Sequence, residues 1–310
     1  MWGLLKVSAF ITAIIIAIGV LASSQNQPDV RPGESTQDEP NQKWETEDWG
    51  IFSSKVRYAA EKQLDTAPLS QAITQLAISF VGTTYTPGTL EVDGPESLVI
   101  NLRELDCVTF VETVLALTRF IRNDGPELLN DPPSAQAQYE RYLTELRYRE
   151  GVINGYESRL HYFSEWLRSN ERKGLLDVIT HGLTPESDDE PIDFMSAHPT
   201  MYRQLDNPVV QESIREMEKR INAHLPRAYV PAERIKEISP LIQDGDVIAA
   251  TSTVQGLDIA HTGFAIWLDG NLHLLHAPLI GSEVEISELP LSDRINSIPS
   301  QDGIMVARAN

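Results

Sequence analysis

The sequence predicts an α+β protein in which a helical first part is followed by a small antiparallel β-sheet or barrel. Apolar residues recur at helical spacing in segments between residues 70 and 223. After Pro231 the pattern changes to short apolar runs, and the hairpin signal Asp269-Gly270 joins two of them. Helical segments that precede the strands, rather than alternate with them, favour an α+β fold over a parallel α/β fold.

Five helices are expected ahead of the sheet. The first covers residues 70–81 and leads into a turn-rich loop at residues 82–88. The others are predicted at residues 107–122, 134–150, 156–167 and 209–223, the last with Val210, Ile214, Met217 and Ile221 on one face. Residues 175–180 are a candidate strand, and residues 184–193 read as an acidic loop.

The second helix organises the chain because it begins at Cys107, the only cysteine in 310 residues. Asp106 stands before it as a candidate N-cap, and no glycine or proline follows until Gly125. Backbone N–H groups at a helix N-terminus favour an anion, so this position can lower the pKa of a thiol. A buried structural cysteine is the alternative.

The predicted strands follow one another in the last quarter of the chain. They cover residues 246–251, 259–268, 271–277, 284–286 and 304–308. Their short turns indicate antiparallel neighbours. Because residues three apart in a strand point to opposite faces, His273 and His276 cannot both serve one site.

Composition excludes several classes of protein. The formal net charge of −20 argues against non-specific nucleic-acid binding, which requires a basic surface. A single cysteine excludes an internal disulfide framework and any multi-cysteine zinc site. We therefore expect no cofactor and no metal.

The N-terminus carries a targeting pattern. Residues 1–24 combine one lysine with an apolar run and form either a signal peptide or an uncleaved N-terminal membrane anchor. Residues 25–48 are rich in Pro, Gln, Glu, Asp and Ser, which predicts a disordered polar linker. The folded domain is expected over residues 49–310, with a helical insertion at about 126–235. We expect it to be exported to the periplasm or held on the outer face of the inner membrane, as a monomer.

A nucleophilic cysteine needs a base, and histidine is the natural base near neutral pH. Of the seven histidines, His261 opens a predicted strand beside Gly263, a residue that permits close backbone approach. His276 ends the next strand. The candidates for partners of Cys107 are therefore His261 and, from the next strand, either His273 or His276.

These residues carry a family resemblance. Asp106-Cys107 at a helix start, Gly245-Asp246-Val247-Ile248, His261-Thr262-Gly263 and a strand ending in His276-Ala277 resemble the NlpC/P60 superfamily of papain-like cysteine hydrolases. The loop at residues 82–88 is similar to that superfamily's Gly-x-x-Tyr-x-x-Gly segment. The resemblance implies Cys107 as nucleophile, His261 as base, His276 as the orienting residue and Tyr85 as an active-site tyrosine.

The longer motifs resemble one branch of that superfamily, the DUF1460 family. They are the helix at residues 106–117 and the segments 158–163, 194–196, 256–263 and 274–277. The family implies an N-acetylmuramoyl-L-alanine amidase that acts on peptidoglycan fragments, with preference for 1,6-anhydro-muropeptides.

Six residues are candidates for substrate contact. Asp106 directly precedes the cysteine, although it is also the expected cap, and Tyr85 lies in the upstream loop that resembles the superfamily's Gly-x-x-Tyr-x-x-Gly segment. The cluster Arg159, His161 and Tyr162 could hold the sugar or the peptide carboxylates, or could be ordinary helix surface. Asp258, just before the strand of His261, could contact substrate or shape a turn.

Two further functions remain open. A peptidase of the same superfamily would cut between D-Glu and the diamino acid of the stem peptide. A non-catalytic wall-binding protein would keep the fold without the reaction. The sequence also leaves open whether the leader is cleaved, which stems are accepted, and whether the role is recycling or scavenging.

Overall fold

The computed structural model describes residues 44–183 and 185–310. The predicted targeting segment and residues 25–43 of the predicted linker lie outside this part of the chain. Within the described residues, no helix combines the length and apolarity that a membrane span requires. The mixed helical and sheet architecture confirms the α+β prediction.

The folded part begins earlier than the predicted start at residue 49. Helix α1 covers Thr46–Glu61, and Trp44 is already buried ahead of it. The Trp44 ring packs edge-on against Phe52, and its indole N–H donates to Glu140 at 3.0 Å. Residues 45–48 are mostly acidic, a composition typical of a linker. Asp48 is nevertheless buried, because its carboxylate accepts the backbone N–H of Leu102 at 2.8 Å.

The next helices and the first strands follow in chain order. They are α2 (Leu69–Ile78), β1 (Thr84–Tyr85), β2 (Glu104–Leu105), α3 (Cys107–Asn123), α4 (Pro132–Arg147), α5 (Phe163–Arg172), β3 (Leu176–Val178), β4 (Glu186–Asp188), α6 (Phe194–Ala197), α7 (Pro208–Asn222), β5 (Arg227–Pro231) and α8 (Ile235–Ile238). The predictions at residues 70–81, 107–122, 134–150 and 209–223 are confirmed within a few residues.

The C-terminal elements build most of an eight-stranded sheet. They are β6 (Val247–Ser252), β7 (Ile259–Leu268), β8 (Asn271–His276), β9 (Glu285–Ile286), α9 (Leu291–Ser297) and β10 (Gln301–Ala309). The strand order is β4-β5-β10-β6-β7-β8-β9, all antiparallel, and β3 also pairs with β10. The five predicted strands are therefore present, and three strands from the predicted insertion extend the sheet.

Two hydrophobic layers enclose this sheet. On one face, Val247, Ala249 and Phe264 join the large core that contains α3. On the other face, Ile248, Ala250 and other residues pack in a smaller core with Ile235 of α8 and Ile295 of α9. Successive side chains of a strand alternate between faces, which accounts for the division.

Helix α3 is buried on nearly every side, with twelve of its residues inaccessible. Glu112 is the one charged residue among the buried residues of α3. It forms an ion pair with Arg147 of α4 at 2.6 Å and accepts the indole N–H of Trp166 at 3.1 Å. A buried carboxylate is tolerated only when it is paired and hydrogen-bonded in this way. The pair fixes the helix that begins at Cys107.

Two predictions within residues 126–235 are corrected. The helix expected at residues 156–167 is a 3-10 turn at Tyr156–Ser158, followed by extended chain and then α5 from Phe163. The buried guanidinium of Arg159 forms an ion pair with Glu91, with Nη2 and Oε1 2.5 Å apart. The backbone at Arg159 is extended, so the chain leaves the helical path there. The acidic loop expected at residues 184–193 contains β4, which pairs with β5. Helix α9 was not predicted.

Candidate active site

Cys107 is the first residue of α3, and Asp106 caps that helix. Oδ1 of Asp106 accepts the backbone N–H of Thr109 at 2.7 Å, and the backbone N–H of Asp106 donates to Oγ1 of Thr109 at 2.9 Å. This reciprocal capping box satisfies two backbone donors that a helix start leaves free. The carboxylate of Asp106 is thereby occupied in holding the helix terminus, and Cys107 stays partly exposed.

Tyr85 lies beside this helix start. The parallel pair β1–β2 aligns Tyr85 with Leu105, two residues before Cys107. Burial raises the pKa of the Tyr85 phenol, and the neighbouring Cys107 and Asp106 raise it further. The phenol therefore stays protonated and can act as a hydrogen-bond donor at the thiol.

His261 and His276 form a buried pair on neighbouring strands. Nε2 of His261 lies 2.7 Å from Nδ1 of His276, and the two rings stand edge to face with their centroids 4.9 Å apart. Both are inaccessible, at 7% and 1% exposure. Gly263 permits this approach, since a Cβ there would lie 2.9 Å from the Cβ of His276.

The thiol lies against the strand that carries His261. The backbone N–H of Thr262, the next residue of β7, is close enough to the sulfur to lower the pKa of Cys107. Nε2 of His261 is committed to His276, so Nδ1 is the ring nitrogen that takes no part in this contact. The β7–β8 pair brings His261 and His276 together, and the start of α3 places the Cys107 sulfur near the backbone N–H of Thr262, the residue after His261.

The electrostatics of the site differ from the expectation of a lowered thiol pKa. Burial raises the pKa of Cys107 to about 12, and the charge of Asp106 adds to this rise. The N–H groups of Cys107 and Val108 at the helix start lower it, but by less. Burial also lowers the pKa of His261 well below its usual range and that of His276 to about 3. The resting site therefore holds a neutral thiol and neutral imidazoles.

Arg294 of α9 is a member of the site that the sequence did not reveal. Its positive charge lowers the pKa of both His261 and His276, after burial, and the thiol of Cys107 lies near enough to affect Arg294 in turn. Its Nη1 donates to Gln301 at 3.4 Å. No pattern marked this residue, because α9 itself was not predicted.

The proposed substrate cluster at residues 159–162 is occupied by structural contacts. Arg159 is buried, binds Glu91 and stacks its guanidinium over the Tyr156 ring at 4.8 Å. Nε2 of His161 lies 2.7 Å from the carbonyl of Tyr156. Tyr162 is 2% exposed, and its hydroxyl donates to Glu218 of α7 at 2.7 Å. These side chains hold the insertion together and offer little free surface to a substrate.

Asp258 also has a structural role. It is buried, and its two oxygens accept the backbone N–H groups of Ser164 at 2.8 Å and Ile259 at 2.7 Å. It therefore ties the start of α5 to the start of β7. His273 points elsewhere than His276, since its Nδ1 lies 2.8 Å from the carbonyl of Ser287. In the described part of the chain, no group of three or more His, Cys, Asp or Glu side chains is arranged to hold a metal ion.

Comparison with known families gives one match. The model of the AmiA-like family, described as N-acetylmuramoyl-L-alanine amidase-like, matches residues 75–304. The match includes Tyr85, Cys107, His261, His276 and Arg294. No curated protein matches the chain.

Solved structures with the same fold are also known. An N-acetylmuramoyl-L-alanine amidase from Bacteroides uniformis is 35% identical, with a TM-score of 0.71, over 78% of this chain and 99% of that one. A Bacteroides fragilis protein, provisionally named a xylanase, is 38% identical, with a TM-score of 0.69, over 75% of this chain and 98% of that one. A DUF1460 protein from Legionella pneumophila, 23% identical over 84% of this chain and 94% of that one, shares the fold with a TM-score of 0.56.

Proposed function

Because the chain belongs to the AmiA-like family of N-acetylmuramoyl-L-alanine amidase-like proteins, we propose that it is a cysteine-dependent amidase of peptidoglycan fragments. The substrate is a muropeptide in which the lactyl group of N-acetylmuramic acid, in its 1,6-anhydro form, is joined to L-Ala. Cys107 is the nucleophile, His261 the base and His276 the residue that orients the base. The fold assignment that accompanies this proposal is the papain-like NlpC/P60 hydrolase fold.

The first step is acyl transfer to sulfur. Nδ1 of His261 removes the proton of the Cys107 thiol as the sulfur attacks the lactyl carbonyl carbon. A concerted transfer suits this site, because both groups are neutral at rest. His261 must then carry its other proton on Nε2, which donates to Nδ1 of His276 across 2.7 Å.

The oxyanion that forms requires donors at the helix start. The backbone N–H groups of Cys107 and Val108 lie beside the sulfur, and the protonated phenol of Tyr85 is close enough to Cys107 for the thiolate charge to raise the pKa of the phenol. Preorganised donors of this kind supply the largest share of catalysis in many acyl transfers. The imidazolium of His261 next protonates the nitrogen of L-Ala, and the free peptide leaves.

The second step is hydrolysis of the thioester. His261, now neutral again, takes a proton from water, and the oxygen attacks the lactyl carbonyl carbon. The sulfur leaves as the thiol, with the proton returned by His261, and the sugar acid is released. The observations that support this sequence are the buried His261–His276 pair on neighbouring strands and the approach of the Cys107 sulfur to the backbone of β7 at Thr262.

The name of the Bacteroides fragilis relative suggests glycoside hydrolysis, which this site does not favour. That reaction ordinarily uses two carboxyl groups flanking the scissile bond. Here the one carboxylate next to the thiol, Asp106, is bound into the cap of α3.

Export to the periplasm, or anchoring at the outer face of the inner membrane, belongs to the same proposal. The substrate occurs outside the cytoplasm, in agreement with the targeting pattern at residues 1–24. We propose that the enzyme acts there as a monomer.

Product analysis on a defined anhydro-muropeptide tests the proposal. The amidase releases the complete stem peptide, beginning with L-Ala, whereas a peptidase leaves L-Ala attached to the sugar. Cys107→Ala is expected to abolish turnover while the protein still folds, as judged by its circular dichroism. Full turnover by Cys107→Ala would overturn the assigned nucleophile. Specific binding to wall fragments without any turnover by the unmodified protein would identify a non-catalytic binding protein.

A further inference from the structure

One ring nitrogen of His276 has no partner. The side chain is 1% exposed, and its Nδ1 lies 2.7 Å from Nε2 of His261. Its Nε2 is buried and has no hydrogen-bond partner among the described residues. In the proposed reaction Nε2 of His261 carries the proton between the two rings, so Nδ1 of His276 is an acceptor. A neutral imidazole keeps one proton, and the proton of His276 therefore lies on the unpartnered Nε2.

A buried N–H without an acceptor disfavours this tautomer of the pair. A buried donor that is left unpaired is destabilising. The other tautomer avoids that cost, because it puts the shared proton on Nδ1 of His276. It also leaves the proton of His261 on Nδ1, and that nitrogen then accepts nothing from a thiol. An acceptor for Nε2 of His276 would therefore select the reactive tautomer.

Glu285 lies opposite His276 across the β8–β9 pair. Side chains of directly opposed residues point to the same face of a sheet, with their Cβ atoms about 5 Å apart. Glu285 is exposed, and no hydrogen bond to another described residue holds its carboxylate. Rotation about its side-chain bonds can therefore bring the carboxylate to the ring of His276.

Arg294 adds a positive charge on the same side of the sheet. Its helix, α9, packs Ile295 into the smaller core together with Leu274 of β8. His276 follows Leu274 by two residues, so both side chains point to this face. Burial lowers the pKa of Arg294, and the nearby carboxylate of Glu285 opposes that shift. His276, Glu285 and Arg294 thus form one cluster at the end of β8.

We propose that Glu285 is a positioning residue for the reaction, because its carboxylate accepts the Nε2–H of His276 and so fixes the tautomer of both histidines. The inference rests on the proposed function, since that reaction needs an unprotonated Nδ1 on His261. No proton passes to Glu285. When the thiol proton reaches His261, the carboxylate stabilises the positive charge through His276. Arg294 opposes this stabilisation, so the two charges change the basicity of the pair in opposite directions.

Three further titratable groups lie near the histidine pair. Burial raises the pKa of the Cys107 thiol to about 12 and also raises that of the Tyr85 phenol, so both are neutral at rest. The carboxylate of Asp106 is bound in the cap of α3. The charges that are free to act on the pair are therefore those of Glu285 and Arg294.

Kinetics of two Glu285 variants test the proposal. Glu285→Ala leaves Nε2 of His276 without its acceptor, so kcat should fall about tenfold with little change in KM. Glu285→Gln keeps an acceptor oxygen and should restore kcat to within about threefold of the unmodified protein. Both variants lose a negative charge, so the acid side of the kcat/KM profile should move to lower pH by about half a unit. An unchanged kcat in Glu285→Ala would overturn the proposal.

Glu283→Ala is the matched control. Glu283 is also exposed and lies two residues away on the same face, but it is opposite Thr84 and not His276. This variant loses the same charge from the same segment, and it should keep the kcat of the unmodified protein. An equal loss of kcat in Glu283→Ala and Glu285→Ala would show that the register with His276 is irrelevant, which would contradict the proposal.

Nitrogen-15 spectra of the histidine rings need no substrate and therefore separate this inference from the proposed reaction. His276 should be protonated on Nε2, and its Nε2–H resonance should move upfield in Glu285→Ala because the hydrogen bond is lost. A His276→Asn variant identifies the signal. This result would support Glu285 even if the protein hydrolysed no muropeptide. An Nε2–H signal that is absent, or that Glu285→Ala leaves unchanged, in a protein that does release stem peptides would refute the inference and leave the amidase proposal standing.

Discussion

The reactivity of Cys107 with an alkylating reagent depends on how much of it is thiolate. Burial raises the pKa of this thiol to about 12, whereas its ordinary value is 9.0. At pH 7 a thiol with a pKa near 9 is about 1% thiolate, and one with a pKa near 12 is about 0.001% thiolate. Because only the thiolate reacts, Cys107 in the folded protein should be alkylated at pH 7 about a thousandfold more slowly than in the unfolded chain.

The assay follows the rate of reaction with iodoacetamide from pH 5 to pH 10, with mass spectrometry to count the label. The single cysteine makes the signal unambiguous. The same measurement in urea supplies the unfolded reference and removes the intrinsic reactivity of the reagent. In the folded protein the rate should rise about tenfold for each pH unit over the whole range.

One outcome would refute this reasoning. A rate that already reaches a plateau below pH 7 would mean that Cys107 and His261 form a thiolate–imidazolium ion pair at rest. That result would show that mutual stabilisation of the two charges outweighs the burial that raises the pKa of the thiol and lowers that of the imidazole. A His261→Ala variant would then lose the plateau, which identifies the imidazole as its cause.

Three further changes have definite expected outcomes. Arg294→Gln removes a cation that lowers the pKa of His261 and His276, so the acid side of the kcat/KM profile should move to higher pH, whereas Arg215→Gln on α7 should leave the profile unchanged. Tyr85→Phe should reduce kcat about a hundredfold with little change in KM, if its phenol donates to the oxyanion; a loss confined to KM would instead mark a substrate contact. Arg147→Met strands the buried carboxylate of Glu112 and should lower the free energy of unfolding in urea by about 3–5 kcal/mol. The Arg147→Met/Glu112→Met double variant should recover most of that loss, and failure to recover would show that packing, not charge, dominates.

Burial of His261 and His276 should also make the stability of the protein depend on pH. Well above pH 6.5 both imidazoles are neutral in the folded and in the unfolded chain, so they add no pH dependence to the free energy of unfolding. Below pH 6.5 the unfolded chain gains protons that the folded protein refuses, because burial lowers the pKa of His261 and His276. Stability should therefore decline as pH falls below 6.5, and it should continue to do so towards the lowered pKa of about 3 for His276.

Local patterns predicted those parts of the fold whose residues satisfy each other nearby. The cap at Asp106 and the apolar run after it define α3 from adjacent positions. The Asp269-Gly270 turn defines the β7–β8 hairpin, and its register brings His276 opposite Gly263. Once that hairpin is known, the alternation of side chains along a strand places His261 and His276 on one face.

The parts that were missed depend on partners far away in the chain. Trp44 is buried by Tyr139, and Arg159 leaves the helical path to reach Glu91. Asp258 caps α5 from 94 residues away. No periodicity within a window of a dozen residues contains such information, so in the sequence these polar residues resemble a linker or a substrate-binding surface.

The same distinction applies to the chemistry of the site. Residue type and order, together with the family resemblance, predict Cys107, His261 and His276 as the reacting groups, and these assignments stay predictions. The pKa of each group depends instead on how much protein surrounds it and on charges such as Arg294, which come from other elements of the fold. The helix start does favour a thiolate, as the sequence indicated, but burial of the same atoms opposes it more strongly. A thiol whose pKa is raised in this way is almost entirely neutral at pH 7, so in the proposed reaction it must lose its proton as it attacks the substrate carbonyl.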